Sequence, residues 1–264
     1  MKRPGRVSAA FALILTFALS LFGAGTARSA GPNFVALGDS YASGVGSGAY
    51  DGASGACRRS VKAYPALWAA AHAPTSFAFT ACSGARTADV VNSQLGPVNA
   101  ATGLISVTVG GNDASFSDVM TTCVLDSQTA CLNRIAQART FVDKTLPGRL
   151  DAAYDAIRAK GPHAHVVVVG YPRFYQVPGR CLVGIGDTAR NAVNAAADEL
   201  DTVIAKRAAD HGFTFADVRT AFTKHELCSA SPWLHSLTLP VDDSYHPTAA
   251  GQAGGYLPRF GAAA

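Results

Sequence analysis

A chain of 264 residues is long enough for one α/β domain with a full core, and no Pro/Ser linker, charge block or internal repeat divides it. The net charge of +4 comes from 22 basic against 18 acidic residues, and four of the basic ones (Lys2, Arg3, Arg6 and Arg28) lie in the first thirty positions, which hold no acid. The rest is balanced at 18 against 18, so charge gives no reason to expect nucleic acid or an anionic surface as partner.

The chain opens with a basic stretch, Met1 to Arg6, then an apolar run over 9–22, then small residues. That order predicts a secretory signal peptide over residues 1–30, too short for a membrane span, with cleavage after Ala27, Ser29 or Ala30. No later apolar run reaches membrane length. The expectation is a secreted, extracellular domain over 31–264, without a stable membrane anchor.

The first strand is expected over 33–37, where Phe34-Val35-Ala36-Leu37 runs into Gly38-Asp39-Ser40-Tyr41. A short apolar run that ends in Gly-Asp-Ser is how a buried parallel strand delivers a serine to the sheet edge, where open α/β sheets place ligands. Gly44-Val45-Gly46-Ser47-Gly48 resembles a phosphate loop but lacks the following Lys-Ser/Thr, and reads as a flexible active-site loop. An Ala-rich helix over 61–72 precedes a second strand over 76–80, which ends in Ala81-Cys82-Ser83-Gly84-Ala85. A third strand over 104–109 ends in Gly110-Gly111-Asn112-Asp113.

The helix over 140–160 must break or restart at Pro147. A strand over 165–169 follows, and then a long helix over 187–210 with Ala192, Val193, Ala196, Leu200, Val203 and Ile204 at helical spacing. A fifth strand is expected over 213–217, and Asp243-Ser244-Tyr245-His246-Pro247 precedes a last helix that begins near Thr248. The alternation predicts a three-layer α/β sandwich around a five-stranded parallel sheet. Right-handed crossovers put every strand's carboxyl end on one edge, and the chemistry is expected there.

Six cysteines in an exported chain read as three disulfides, for which 15 pairings are open in principle. Short local closure favours Cys123–Cys131. Cys57 and Cys82 flank one helical stretch, and Cys181–Cys228 is left. No Cys-x-x-Cys or Cys/His doublet exists, which points away from zinc.

The four blocks, Gly38-Asp39-Ser40-Tyr41, Ala81-Cys82-Ser83-Gly84-Ala85, Gly110-Gly111-Asn112-Asp113 and Asp243-Ser244-Tyr245-His246-Pro247, occur in order, three directly after strands and the last before the closing helix. Together they resemble the SGNH (GDSL-type) hydrolases, and among these the secreted lipases and esterases of actinomycetes, over essentially the whole chain after residue 30. The resemblance implies a flavodoxin-like SGNH fold. It implies Ser40 as nucleophile and His246 as base. The implied oxyanion hole is the backbone N–H of Ser40 and of Gly84 with the side-chain amide of Asn112. Asp243 fits the family's Asp-x-x-His spacing for the group that orients His246; Asp242 is its neighbour, and a backbone carbonyl near the histidine is the alternative.

The expected function is a serine carboxylic-ester hydrolase, a lipase, esterase or phospholipase that works through an acyl-enzyme with no metal or organic cofactor. Phe116, Tyr171, Phe174, Tyr175 and Val177 are candidates for an apolar acyl pocket. They point to lipid or other acyl esters as substrate, for a monomeric enzyme. Two alternatives stand beside it. A carbohydrate acetyl esterase would need sugar-stacking aromatics, for which Trp233 is a candidate. A non-catalytic secreted binding protein on the same fold would not need the Ser/Gly/Asn/His set.

Overall fold

The computed structural model describes residues 1–2, 31–181 and 184–264; the expected signal peptide lies almost wholly outside them. The elements follow as β1 (Asn33–Gly38), α1 (Ser40–Ser43), α2 (Tyr64–His72), β2 (Ser76–Phe79), α3 (Thr87–Asp89), β3 (Thr102–Thr108), α4 (Phe116–Leu125), α5 (Gln128–Lys144), α6 (Leu146–Lys160), β4 (His165–Val169), α7 (Asp187–Asp210), β5 (Thr214–Ala216) and α8 (Leu257–Ala263). The five strands form one parallel sheet in the order β2-β1-β3-β4-β5. Strand order reverses between β1 and β3, and the crevice at such a reversal is where doubly wound sheets bind ligands.

The strands are short and apolar, and the inner three are largely buried on both faces while the edge strands β2 and β5 are only partly buried. Val166 to Val169 are each at most 1% exposed, and Phe34 and Leu37 are fully buried. One helical layer holds α2 and α8, where the Phe34 ring meets Trp68 and Phe260 at centroid distances of 5.2 and 5.6 Å. The other holds α4 to α7, packed on one another. Proline acts where expected, since α5 ends at Lys144 and Pro147 sits in the first turn of α6, where its missing N–H costs nothing.

Some boundaries differ from the sequence expectation. β3 starts two residues earlier. The final helical segment starts directly after Thr248, where it was expected, and widens over Gly251–Tyr256 before α8. Helix α4 and the first part of α5 lie outside the helices expected from the sequence. The cysteines are joined as Cys57–Cys82, Cys123–Cys131 and Cys181–Cys228, the pairing expected from the sequence, and Cys123–Cys131 staples α4 to α5. No helix of the described residues is long and apolar enough to cross a membrane.

Candidate active site

Everything at the site depends on how β1 ends. Gly38 has φ +123, and a Cβ there would lie 2.3 Å from the Thr108 carbonyl oxygen, so only glycine lets β1 run this close to β3. The Gln94 side chain clasps this glycine from the other side. It accepts the Gly38 N–H at 2.7 Å and donates to the Gly38 carbonyl at 2.9 Å. The next residue, Asp39, caps α1 by accepting the Tyr41 N–H at 2.9 Å. Ser40 is therefore the first residue of a short helix at the sheet edge, and α1 is buried throughout.

Asp39 is itself buried, and its second oxygen accepts the Tyr171 hydroxyl at 2.5 Å. The same hydroxyl accepts the Gly111 N–H at 3.1 Å, so one tyrosine ties together the loops after β1, β3 and β4. Burial pushes the Asp39 carboxyl up to about 7, against the pull of Tyr171 and of the backbone N–H groups. Its partners mark it as an organiser of the loops.

His246 meets Ser40 across the crevice, with Nε2 2.7 Å from Oγ. Its Nδ1 lies 3.0 Å from the carbonyl oxygen of Ser244. A carbonyl only accepts, so Nδ1 carries the proton and Nε2 presents its lone pair to the serine hydroxyl. Burial holds the imidazole down to about 4, which leaves it neutral at physiological pH.

The structure differs from the sequence expectation at Asp243. Its carboxylate does not reach His246; Oδ1 takes the Arg58 guanidinium and the Tyr50 hydroxyl, the latter at 3.2 Å. Asp242 is mostly exposed, 3.9 Å from Arg58. The acceptor at Nδ1 is a backbone carbonyl because Tyr245 adopts φ +64, and this turn bends the Ser244 carbonyl back toward the ring. Asp-x-x-His spacing does not reveal such a backbone conformation.

Asn112 and Gly84 arrive from the other two loops. Asn112 Nδ2 donates to the Ala85 carbonyl at 3.0 Å, which links the two loops and leaves its second amide hydrogen free. Asp113 adds a second link by accepting both the N–H and the hydroxyl of Thr87, at 2.9 and 2.7 Å. Gly84 has φ +79 with open space where a side chain would be. Among the described residues, the backbone N–H groups of Ser40 and Gly84 donate to no protein acceptor.

An apolar channel runs from Ser40 and Asn112 between α4, α5 and α7. Phe116 and Val119 line it from α4, Ile135, Ala138 and Val142 from α5, and Val193, Ala197 and Leu200 from α7. Of the expected pocket residues Phe116, Tyr171 and Phe174 line the channel, while Tyr175 and Val177 do not. The contributors from α5 and α7 were missed, although Val193 and Leu200 stand in the apolar stripe of α7. From sequence alone that stripe reads as core packing.

Two other expectations change. The loop Gly44 to Gly48 is pinned rather than free, with the Gly46 N–H donating to Tyr50 at 2.9 Å and the Gly46 carbonyl facing His235 Nε2 at 2.8 Å. The Trp233 ring lies flat on His225 at 3.6 Å and edge-on to Phe222, so an internal stack takes the face a sugar would need.

The family of GDSL-like Lipase/Acylhydrolase proteins matches residues 36–253. The chain belongs to this family. It is 59% identical over 269 residues to Lipase 1 of Streptomyces coelicolor, with both chains fully covered. The crystal structure of an extracellular lipase from Streptomyces rimosus superposes with a TM-score of 0.87 at 61% identity, covering 88% of this chain and 100% of the other. The crystal structure of phospholipase A1 from Streptomyces albidoflavus NA297 gives 0.87 at 59% identity, covering 89% and 100%. Family and relatives together establish a carboxylic-ester hydrolase on an SGNH-type α/β fold.

Proposed function

We propose that the enzyme hydrolyses acyl esters of lipids, phospholipids among them, through an acyl-enzyme on Ser40. The observation that carries this reading is the 2.7 Å contact between His246 Nε2 and Ser40 Oγ at the mouth of an apolar channel. Ser40 Oγ attacks the ester carbonyl while its proton passes to His246 Nε2. The carbonyl oxygen becomes an oxyanion that takes hydrogen bonds from the Ser40 and Gly84 N–H groups and the Asn112 amide. Collapse of this intermediate breaks the ester bond, and the imidazolium gives its proton to the departing alkoxide. A water then loses a proton to His246 and attacks the acyl carbon, which frees the acid and restores Ser40.

In the same reading the Ser244 carbonyl holds the histidine tautomer and the acyl chain lies in the channel. No metal or organic cofactor enters these steps. Residues 1–30 serve as a cleaved leader, and the mature enzyme acts outside the cell as a monomer on its ester substrate, with no nucleic-acid partner. The test is labelling of the wild-type protein by a fluorophosphonate, with the adduct mapped to Ser40, beside turnover of p-nitrophenyl esters of increasing acyl length and of a phospholipid. An adduct elsewhere removes Ser40 from its role. Turnover confined to acetyl esters removes the lipid assignment.

A further inference from the structure

The segment that carries His246 also carries an exposed apolar tip. Leu237, Leu239 and Val241 are 58%, 90% and 60% exposed, at alternate positions of one loop. Water-facing aliphatics this close together are uncommon unless something covers them. Here they are held outward rather than left loose. Thr238, between the two leucines, donates its N–H to Ser244 Oγ at 2.9 Å, and that hydroxyl bonds back to the Thr238 carbonyl at 3.3 Å. Below the tip, the Tyr245 N–H donates to His235 O at 2.8 Å, the His235 N–H to His246 O at 2.9 Å, and Leu234 pairs with Pro247. The loop is thus the tip of a short antiparallel ladder whose base holds His246, and Ser244 serves both, since its hydroxyl holds the tip and its carbonyl the imidazole.

We propose that this tip, Leu237, Leu239 and Val241, docks the enzyme on an uncharged lipid surface and presents the mouth of the site to the esters in that surface. The inference rests on the lipid reading above, because the same loop that would enter the surface positions the base. The charge around the tip selects the kind of surface. No Lys or Arg occurs between Lys224 and Arg259, Asp242 follows Val241 directly, and Arg58 is ion-paired to Asp243 and close to Asp242. Nothing in this segment attracts anionic headgroups, so apolar burial drives the contact and a zwitterionic surface suits it.

The experiment uses the full mature chain and vesicles of diether phosphatidylcholine, which the enzyme cannot consume. Cosedimentation measures binding, and turnover of soluble p-nitrophenyl butyrate reports fold and chemistry. The Leu239→Ser/Val241→Ser double variant should bind vesicles at least about tenfold more weakly while hydrolysing the soluble ester within about twofold of wild type. Leu125→Ser removes an equally exposed aliphatic at the far end of α4 and should leave vesicle binding unchanged. Should the double variant misfold, Leu239→Trp carries the test, because its emission should shift to the blue on vesicles as the indole leaves water. Wild-type binding should change little with salt.

Equal vesicle binding by the double variant overturns the proposal, as does an unshifted emission from a fully active Leu239→Trp protein. A wild-type dimer that the double variant dissociates assigns the tip to a second copy and also overturns it. Failure of the ester chemistry would appear in the soluble assay, where the docking tip has no part, so the two readings fail separately.

Discussion

The two halves of the proposed catalytic pair are held in opposite ways. Ser40 stands on regular structure, where β1 pairs with β2 and β3 on either side and Gly38 touches Thr108 directly. His246 stands on irregular chain, between an exposed tip and the Gly251–Tyr256 turn, and is fixed by clasps that span the molecule. The Tyr41 hydroxyl donates to the Tyr245 carbonyl at 2.7 Å across 204 positions, and Gln252 bridges the Tyr41 carbonyl and the Tyr64 N–H at 3.0 and 2.9 Å. A nucleophile on a sheet edge inherits its position from the fold. A base on a loop needs its position built bond by bond, and Tyr41, directly after the nucleophile, supplies one of those bonds.

The largest effect should come from removing either member of the pair. Ser40→Ala and His246→Ala should each lower kcat by about 10⁴ to 10⁶ with thermal melting close to wild type, since nucleophile and base act as a unit. They differ in labelling, because His246→Ala should also suppress the reaction of Ser40 with fluorophosphonates. A His246→Ala protein that labels as fast as wild type would remove the histidine from its role. Next in size, Asn112→Ala should cost about 10² to 10³ in kcat by deleting one oxyanion donor. A loss confined to KM would show that the amide binds the substrate and not the developing charge.

A smaller effect separates the sheet-borne from the loop-borne half. Tyr41→Phe deletes only the hydroxyl that holds the histidine loop, and leaves the Tyr245 carbonyl without that donor. The expected cost is about 1 to 3 kcal/mol of stability. Because the clasp acts on the base and not on the nucleophile, kcat should fall about tenfold with KM little changed. Unchanged kcat in a destabilised Tyr41→Phe protein would mean that Arg58, Ser244 and the antiparallel pairing suffice to place His246.

How much the sequence disclosed follows the same division. The placement of Ser40, Gly84 and Asn112 at one sheet edge was legible because each follows an apolar strand, and a parallel sheet brings such ends together. The long helix α7 was read with the bounds the structure gives it, since its apolar spacing recurs from Ala192 to Ile204. The apolar channel was half legible, because an apolar stripe on a helix looks the same whether it faces a core or a ligand. The orientation of His246 was left open between the Asp243 carboxylate and a backbone carbonyl. It depends on φ +64 at Tyr245, a non-glycine residue that no local propensity marks, and on a partner 204 positions away.

Asp243 gives the finest test of the comparison, and the smallest expected effect. Were its carboxylate the orienting group, Asp243→Asn would hold the wrong tautomer and cost about 10⁴ in kcat, as in the serine-protease precedent. Here Nδ1 is held by the Ser244 carbonyl, and Asp243 bonds Arg58 and Tyr50. Asp243→Asn should therefore cost about tenfold or less. The pH profile sharpens the point. Burial holds His246 down to about 4, while the Asp243 charge pulls upward and Arg58 pulls downward. The acid limb of kcat/KM, which reports the free enzyme's base, should thus lie well below the ordinary histidine value of about 6.5. Removing the Asp243 charge takes away an upward pull, so the limb should move further toward acid. Stability should follow the same sign. Between 6.5 and about 4 the unfolded chain takes up a proton at this histidine that the folded protein refuses, so this residue's contribution falls as pH falls through that window. A loss near 10⁴ in Asp243→Asn would return the orienting role to the carboxylate and make the base loop depend on side-chain charge instead of backbone shape.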